Sequence, residues 1–486
     1  MQVDSVTEIR RALAFSVLTQ HSIQIMSLAT IVILARLLTP EEIGVYAVAA
    51  SVAFLAIELR ALGVGQYLIR ETEISDEKIR CATGVMMVVS WSLAVIIAIG
   101  SPFIAEFYSE PALEIIFWII AATFIFSPFS SVPSALLKRN MQFQSLFVVR
   151  FISNLARSGS SIGFVLMGYS YYGLAMGALV GAIAEVACNT YFRAPGIPWS
   201  PAFSRFKELF RFGVLTSAAG TFKQFSLSLP DLVLGRVATM ADVGMFSRGL
   251  GVVVFLNQII VHAVGPVVLP HLSEVKRKGE SVGDAYLHAI KLLGAFCWPI
   301  FAVVNICAYS MIHALFGDQW DAAVPVASVL AFWAILQSTH SFSYFALVTV
   351  EKEKLTLKKE AAIFVARFIA VVAAAPHGLL MVAWAMVFAG IVEVVINTWV
   401  ISKAVGVSVR RQIEAFIPNL IIAAACWISL KVLSLFIDFQ ALNSWISLSI
   451  IGVSMLVVWL TAMRLTRHEA WDIIIQMAGR FIPGRS

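Results

Sequence analysis

Residues 34–46 read LARLLTPEEIGVY, and residues 234–246 read LGRVATMADVGMF. Leu34, Arg36, Thr39 and Gly44 return as Leu234, Arg236, Thr239 and Gly244; Glu42 is answered by Asp242, and Tyr46 by Phe246. Upstream, Phe15, Val17, Leu18 and Thr19 return as Phe212, Val214, Leu215 and Thr216 after a small change of offset. Each copy joins one long apolar run to the next, so the chain is expected to hold two structural copies of one unit.

Outward from these stretches the apolar runs continue along the whole chain, near 13–35, 43–68, 82–105, 113–137, 145–167, 170–192, 212–235, 243–269, 288–313, 322–349, 360–376, 378–402, 413–437 and 443–463. Each is close to the ~20 residues that cross a ~30 Å hydrocarbon core. Lipid cannot satisfy backbone polar groups, so spans must be helices or strands of a closed barrel. Barrel strands would alternate every second residue, and runs such as Val85–Gly100 do not. Composition agrees: of 486 residues 59% are hydrophobic and 13% charged, against roughly 45–50% and about 25% in soluble domains, and the mean hydropathy is +0.86. The first run has too long a core, and no small-residue cleavage site after it, for a signal peptide. The sequence predicts an all-α polytopic membrane protein with about 14 transmembrane helices.

Charge sets the expected topology. Of 35 Lys and Arg residues, Arg36 and Arg236 fall in one set of alternate connections, eight fall inside spans, and the other 25 fall in the opposite set. By the positive-inside rule that set is cytoplasmic, which places both termini in the cytoplasm and the protein in a bacterial inner membrane. The formal charge of +6 is then a topology signal and not a nucleic-acid surface. The repeat pairs spans 1–6 with spans 7–12, giving two parallel six-helix lobes at 1–192 and 212–403. A linker at 193–211 carries Pro195, Pro198 and Pro201. Two further spans occupy 404–463, and a cytoplasmic tail follows at 464–486.

Enzymatic signatures are absent. There is no G-x-x-x-x-G-K-[ST] phosphate loop and no H-E-x-x-H, and Gly63-Val64-Gly65 follows a membrane helix, not a strand. The five cysteines (Cys81, Cys188, Cys297, Cys307 and Cys426) form no C-x-x-C pair. They read as small apolar membrane residues with no disulfide framework. Gly177 and Gly181 have the spacing of helix packing within a lobe. No enzyme activity, cofactor or metal is expected.

Several stretches resemble the polysaccharide (Wzx-type) flippases of the multidrug/oligosaccharidyl-lipid/polysaccharide exporter superfamily. RLLTPEEIGVY at 36–46 is similar to their first outer loop and second helix, LGVGQYLIR at 62–70 to the end of that helix, and LLKRNMQF at 136–143 to the loop before helix five. DLVLGRVATMADVGMFSRG at 231–249 is similar to the start of the second lobe. Pro266, Leu269, Pro270, Ala285-Tyr286, Pro299 and FGDQWDAAVP at 316–325 follow in the same order. The chain departs at Ala61, where similar sequences often carry an acid; Glu58 and Arg60 lie nearby. The resemblance implies that spans 1, 2, 7 and 8 line a central cavity.

Eight cations lie inside spans: Arg60, Arg150, Arg157, Lys223, Arg248, Lys291, Arg367 and Lys431. Each would cost about 2.5–3.5 kcal/mol at a helix centre, so such residues face a bundle interior or a wet cavity. Arg150, Arg248 and Lys291 are near enough to a span end to snorkel. Lys223, ~17 Å into its span at ~1.5 Å per residue, and Arg157, similarly deep, are expected either to line the cavity or to pair with an acid such as Glu185 or Asp231. Intramembrane acids are fewer: Glu58, Glu185, Asp231 and Glu393. A cationic cavity suits an anionic ligand such as a pyrophosphate, since Arg and Lys bind phosphates by charge-assisted hydrogen bonds. The substrate-binding candidates are Lys223, Arg60, Arg157, Gln224, His21 and Gln24. The last two either contact sugar or phosphate, or bond between helices. Asp231 is a candidate for ion coupling or for a structural pair, and His262 reads as structural.

These readings lead to an expected flippase of polyprenyl-pyrophosphate-linked oligosaccharide, working by alternating access across the lipid bilayer for extracellular polysaccharide or lipopolysaccharide synthesis. A polysaccharide polymerase and glycosyltransferases are candidate partners; nucleic acid is not. An ion-coupled exporter of small cationic compounds, a peptidoglycan-precursor flippase and a non-transporting scaffold of a polymer-synthesis complex are the alternatives.

Overall fold

The computed structural model describes the backbone of residues 2–61, 64–71, 73–193, 200–204 and 206–481. It describes their side chains except at 2–19, 61, 66, 70, 207, 208, 211–216, 262, 263, 266 and 477–481. The upstream part of the repeat (15–19 and 212–216), His262, Pro266, the departure at Ala61 and much of the expected linker therefore lie outside the described side chains. By packing, the chain divides into two compact units, Met1–Gly244 and Met245–Ser486.

The first unit holds α1 (Gln2–Leu37), α2 (Pro40–Ala61), α3 (Val64–Arg70), α4 (Asp76–Tyr108), α5 (Ala112–Arg139), α6 (Phe143–Phe164), α7 (Tyr172–Tyr191), α8 (Phe206–Val237) and the start of α9 (Met240–Arg277). The rest of α9 opens the second unit. It continues with α10 (Val282–Phe316), α11 (Ala323–Ser338), α12 (Ser343–Thr349), α13 (Glu353–Ala374), α14 (Leu379–Val405), α15 (Val409–Leu433), α16 (Ser444–Leu465) and α17 (Glu469–Phe481). No strand occurs among the described residues. Twelve helical segments are long and apolar enough to cross a membrane among the described residues. Helices α6 and α8 coincide with the other two expected spans. Arg150, Asn154, Arg157 and four serines lower the hydropathy of α6, so it needs protein neighbours where the others can face lipid. The expected span 322–349 is two helices, α11 and α12, separated by a turn at 339–342.

Lipid as solvent explains the outer surface. Ile96 (64% exposed), Phe103 (68%) and Phe388 (63%) present large apolar side chains outward, which a water-soluble monomer would not do along whole helices. The interior is packed by small and aromatic residues. Helix α10 runs through the middle of the second unit, with Tyr286, Phe301 and Ile312 fully buried. In the first unit Gly173, Gly177 and Gly181 let α7 lie directly on α6: an added Cβ would overlap Val165, Ser161 and the Arg157 Cβ respectively. The small-residue spacing thus acts in helix packing.

The repeated stretch has a local reason for each conserved letter. The Thr39 hydroxyl accepts from Glu42 N–H at 3.2 Å, and the Glu42 carboxylate accepts from Thr39 N–H at 2.7 Å. Thr239 and Asp242 repeat both bonds at 3.1 Å. These are capping boxes, which satisfy orphan amides at the start of α2 and α9. Gly44 and Gly244 serve close approach. A Cβ on Gly44 would overlap the Met240 carbonyl, and one on Gly244 the Pro40 carbonyl. The first turns of α2 and α9 therefore meet backbone to backbone, in a mutual arrangement. Beyond them α2 packs along α8: Ser51 donates to Asp231 at 3.1 Å, the Tyr108 hydroxyl donates to the Leu232 carbonyl at 3.2 Å, and Gly235 makes room for Val48 and the Tyr108 ring.

At the other end of the first unit Arg139 closes α3. Its guanidinium donates to the carbonyls of Leu68, Ile69 and Glu71 at 2.9, 3.3 and 2.5 Å, a cation on a helix C-terminus. Residues 200–204 lie on the start of α4, where Ala202 N–H donates to the Arg80 carbonyl at 3.0 Å and Ser204 donates to Glu77 at 2.8 Å.

Candidate functional site

Helix α8 carries Lys223 midway along its length. The side chain is exposed and makes no ion pair among the described residues. Next to it, Gln224 is half-buried and donates to Ser228 at 3.3 Å. Gly220, one turn earlier, faces the Glu58 carboxylate of α2, which lies 3.1 Å from where a Cβ would stand. Asp231, two turns beyond Lys223, takes the Ser51 hydroxyl as partner. On α1 His21 is exposed and Gln24 half-buried. Arg157 turns an exposed guanidinium away from the α6–α7 seam that its Cβ helps to pack. No hydrogen bond or ion pair joins Lys223, Arg157 and Arg60 to one another among the described residues.

Arg60 belongs to a different group. It stands over the Phe124 ring of α5, 5.5 Å from the centroid. Glu185 on α7 lies within Coulombic reach of Arg60, of Arg150 on α6 and of Lys138 at the end of α5. All four are half-buried, and none of the three cations closes an ion pair on Glu185 among the described residues. Behind the carboxylate, buried Asn189 donates to the Glu185 carbonyl at 3.0 Å and accepts from Ser134 at 3.2 Å.

The second unit holds its intramembrane cations differently. Arg367 on α13 is closed on Glu393 of α14 at 2.7 Å, both buried, with the guanidinium 5.6 Å from the Trp333 centroid. Lys291 pairs with Glu469 at 2.7 Å. Arg248 and Lys431 each stand 6.0 Å from an aromatic centroid, of Phe316 and Trp427. Lys359, counted by the charge rule as a connection residue, is 5% exposed. It donates to Ser343 at 2.9 Å and pairs with Glu360 at 3.0 Å. In the same unit buried His340 bridges the Tyr286 hydroxyl at 2.7 Å and Thr398 at 3.0 Å, a network that the polar run Gln337–Ser341 could have signalled. Among the described residues no group of three or more His, Cys, Asp or Glu is placed to hold a metal ion.

A second repeat underlies both acid sites. Residues 147–153 read FVVRFIS and 364–370 read FVARFIA; residues 185–191 read EVACNTY and 393–399 read EVVINTW. Arg150 therefore matches Arg367, Glu185 matches Glu393, and Asn189 matches Asn397, which donates to the Glu393 carbonyl at 2.9 Å just as its counterpart does. The extra cations of the first unit have no such match. At the offset of the turn repeat, Arg60 corresponds to Ile260, and alignment of Ala135-Leu136-Leu137 with Ala346-Leu347-Val348 puts Lys138 opposite Thr349.

The fold is that of multi-pass membrane transporters. It superposes on the lipid II flippase MurJ in an inward closed conformation with a TM-score of 0.75, at 14% identity, covering 95% of this chain and 100% of that one. An inward-facing multidrug transporter of the MOP superfamily gives 0.58, at 15% identity, covering 79% and 95%. Both likenesses are of fold alone. A sequence profile described as polysaccharide biosynthesis protein matches residues 33–325, more than half of the chain, and the protein belongs to that family. Among curated relatives, the teichuronic acid biosynthesis protein TuaB of Bacillus subtilis is 21% identical over 75% of this chain and 76% of its own length. The lipopolysaccharide biosynthesis protein WzxC of Escherichia coli is 21% identical over 64% of each. The succinoglycan biosynthesis transport protein ExoT of Rhizobium meliloti is 23% identical over 66% of this chain and 65% of its own.

Proposed function

We propose that the protein flips a polyprenyl-pyrophosphate-linked oligosaccharide from the cytoplasmic to the outer leaflet of a bacterial inner membrane, as a transporter and not an enzyme. The observation that carries this reading is Lys223, a cation exposed halfway along an intramembrane helix with no ion pair among the described residues. Facing lipid, it would cost about 2.5–3.5 kcal/mol; facing a wet cavity, it offers a site to phosphate. Arg60, Arg157, Gln224, His21 and Gln24 are the further contacts in this reading. Asp231 has its structural role with Ser51, with ion coupling as the added proposal. Both termini lie in the cytoplasm, and residues 1–192 and 212–403 act as lobes, joined by 193–211, with 404–463 and the 464–486 tail appended. The backbone seam between Gly44 and Met240 and between Gly244 and Pro40 suits a closure that parts without unpacking a core. The printed names of the relatives support polysaccharide precursors as cargo, with a polymerase and glycosyltransferases acting before or after the step. No nucleotide loop is present in the sequence, so an ion gradient or the membrane potential gives direction.

Proteoliposomes loaded with a polyprenyl-diphosphate oligosaccharide test this. Wild-type protein is expected to move the sugar to the opposite leaflet, and Lys223→Glu to slow it at least tenfold, the worth of one charge-assisted contact turned repulsive. Efflux of a cationic dye with no movement of sugar-lipid would reject the reading.

A further inference from the structure

The group around Glu185 carries charge that its own side chains leave unbalanced. Three cations, Arg60, Lys138 and Arg150, surround one carboxylate, and Lys138 and Arg150 repel each other. The Arg60 Nε is buried with no hydrogen-bond partner among the described residues. The matching site of the second unit shows what the same letters do when nothing else is required of them: Arg367 and Glu393 close at 2.7 Å. In the first unit the matching Arg150 and Glu185 stay apart, and Arg60 and Lys138, which have no counterparts in the repeat, are added around them. Added cations in a half-buried place are destabilising by mutual repulsion unless an anion joins them. The surplus is two positive charges. A chloride would balance half of it; a diphosphate balances all of it and offers the spread of acceptor oxygens that two guanidinium forks and an ammonium can hold.

Position narrows the class of anion. Lys138 lies in the last turn of α5, Arg150 two turns into α6 and Glu185 two turns from the end of α7, about 10 Å from the helix ends at ~1.5 Å per residue. That is the depth of lipid phosphates and the upper acyl chain, not of the bilayer centre. We infer that Arg60, Lys138 and Arg150 form a binding site for the phosphate head of a membrane-anchored lipid, the prenyl diphosphate of the cargo, with Glu185 as the internal anion that the phosphate replaces. The inference rests on the proposed flippase reading for the identity of the cargo. Its phosphate chemistry would be shared by an anionic phospholipid of the bilayer.

Full-length protein in phosphatidylcholine nanodiscs, titrated with farnesyl diphosphate, tests the site. Arg150→Gln and Lys138→Gln are each expected to weaken binding about tenfold, and Glu185→Gln to tighten it severalfold by removing the competing carboxylate. The opposite sign of the last variant separates ligand binding from a purely structural cluster, in which all three would only loosen the fold; thermal unfolding of each variant reports that separately, and Lys138→Gln serves where Arg150→Gln does not fold. A parallel arm counts phosphatidylglycerol retained by the purified protein. Retention lost in Arg150→Gln, with no farnesyl diphosphate bound by wild type, keeps the phosphate site and gives it to bilayer lipid. Unchanged binding of both probes in Arg150→Gln, or weaker binding in Glu185→Gln, overturns the site. Sugar-lipid flipping that survives such a result leaves the flippase reading standing without it.

Discussion

Glu393 and Glu185 occupy the same place in two copies of one motif and have opposite fates. Around Glu393 the structure is closed: Arg367 lies on it at 2.7 Å, 3% exposed, under the Trp333 ring. Around Glu185 the matching arginine stands off, and cations from α2 and α5 share the field. The backbone underneath is the same, since Asn397 and Asn189 make the same bond to the carbonyl of the acid. What differs is the neighbours. A carboxylate with one partner forms a pair that shields both charges; a carboxylate with three cannot satisfy any of them and leaves a positive surface. One lobe has spent the motif on stability, and the other has kept it available.

The largest expected effect tests that contrast directly. Arg367→Ala, or Glu393→Ala, leaves a buried charge without its partner and should lower stability by about 3–5 kcal/mol, read as denaturant or thermal unfolding in detergent. The double change Arg367→Met with Glu393→Leu should recover most of that. Arg150→Ala should cost about 1 kcal/mol or less, since it relieves repulsion as it removes attraction. An equal loss for Arg150→Ala and Arg367→Ala would break the comparison, and the two sites would then be one structural device twice over.

The turns offer the converse test, a place where the two copies do have the same geometry. Thr39 and Thr239 each cap a helix through the same pair of bonds. Thr39→Ala and Thr239→Ala should therefore each cost about 1 kcal/mol, and by similar amounts. If one were silent, the copies would differ in how they carry load even where their bonds agree, and the argument from Glu185 and Glu393 would need the whole lobe as its unit.

Much of the architecture could be read before any coordinates because lipid imposes a length and a hydropathy on each span, and both are local properties of the chain. The turn repeat was visible for the same reason: Thr39, Glu42 and Gly44 do their work within six residues of chain. The break between α11 and α12 was not visible, since the turn at 339–342 is held by His340 reaching Tyr286 and Thr398, far away in sequence. The second repeat, FVVRFIS with FVARFIA, was present in the letters but sits at a different offset from the turn repeat because the connecting loops differ in length. Even when aligned it could not have told a closed pair from an open cluster. Arg60 and Lys138 come from helices whose packing decides whether they reach Glu185, and no spacing along the chain encodes that. Arg60 was singled out for its depth, while Lys138 was read as a connection charge.

Lys291 shows a third arrangement, a cation paired in reach of water, and it gives the smallest effect. Glu469 bridges Lys291 and His288, each at 2.7 Å, and is 46% exposed. His468 accepts the Ala470 N–H at 3.1 Å, so its proton is on the other ring nitrogen, which is buried without a partner among the described residues. The hydrogen bond from Lys291, with its charge, holds the Glu469 carboxyl below the ordinary carboxylate range. Burial, followed by the Lys291 charge, holds the His468 imidazole below its usual 6.5. Both groups favour the docked α17 in their deprotonated forms. As pH falls below 6.5 an undocked His468 takes up a proton that the docked one resists, and at lower pH Glu469 follows; acid therefore loosens α17 and base does not. For groups this close to water the effect should be about 1 kcal/mol or less. Hydrogen exchange at the amides of residues 470–476, corrected for intrinsic rates, should rise a few-fold from pH 7.5 to 5.5 in wild type. In His468→Gln it should change little over that interval. A flat wild-type profile would mean that the apolar contacts of Trp471 and Ile474 with the packed cluster of Ala295, Ile422 and Met463 hold α17 alone. The Lys291 pair would then belong with exposed ion pairs that contribute nothing measurable, leaving the buried Arg367–Glu393 pair as the stabilising end of the series.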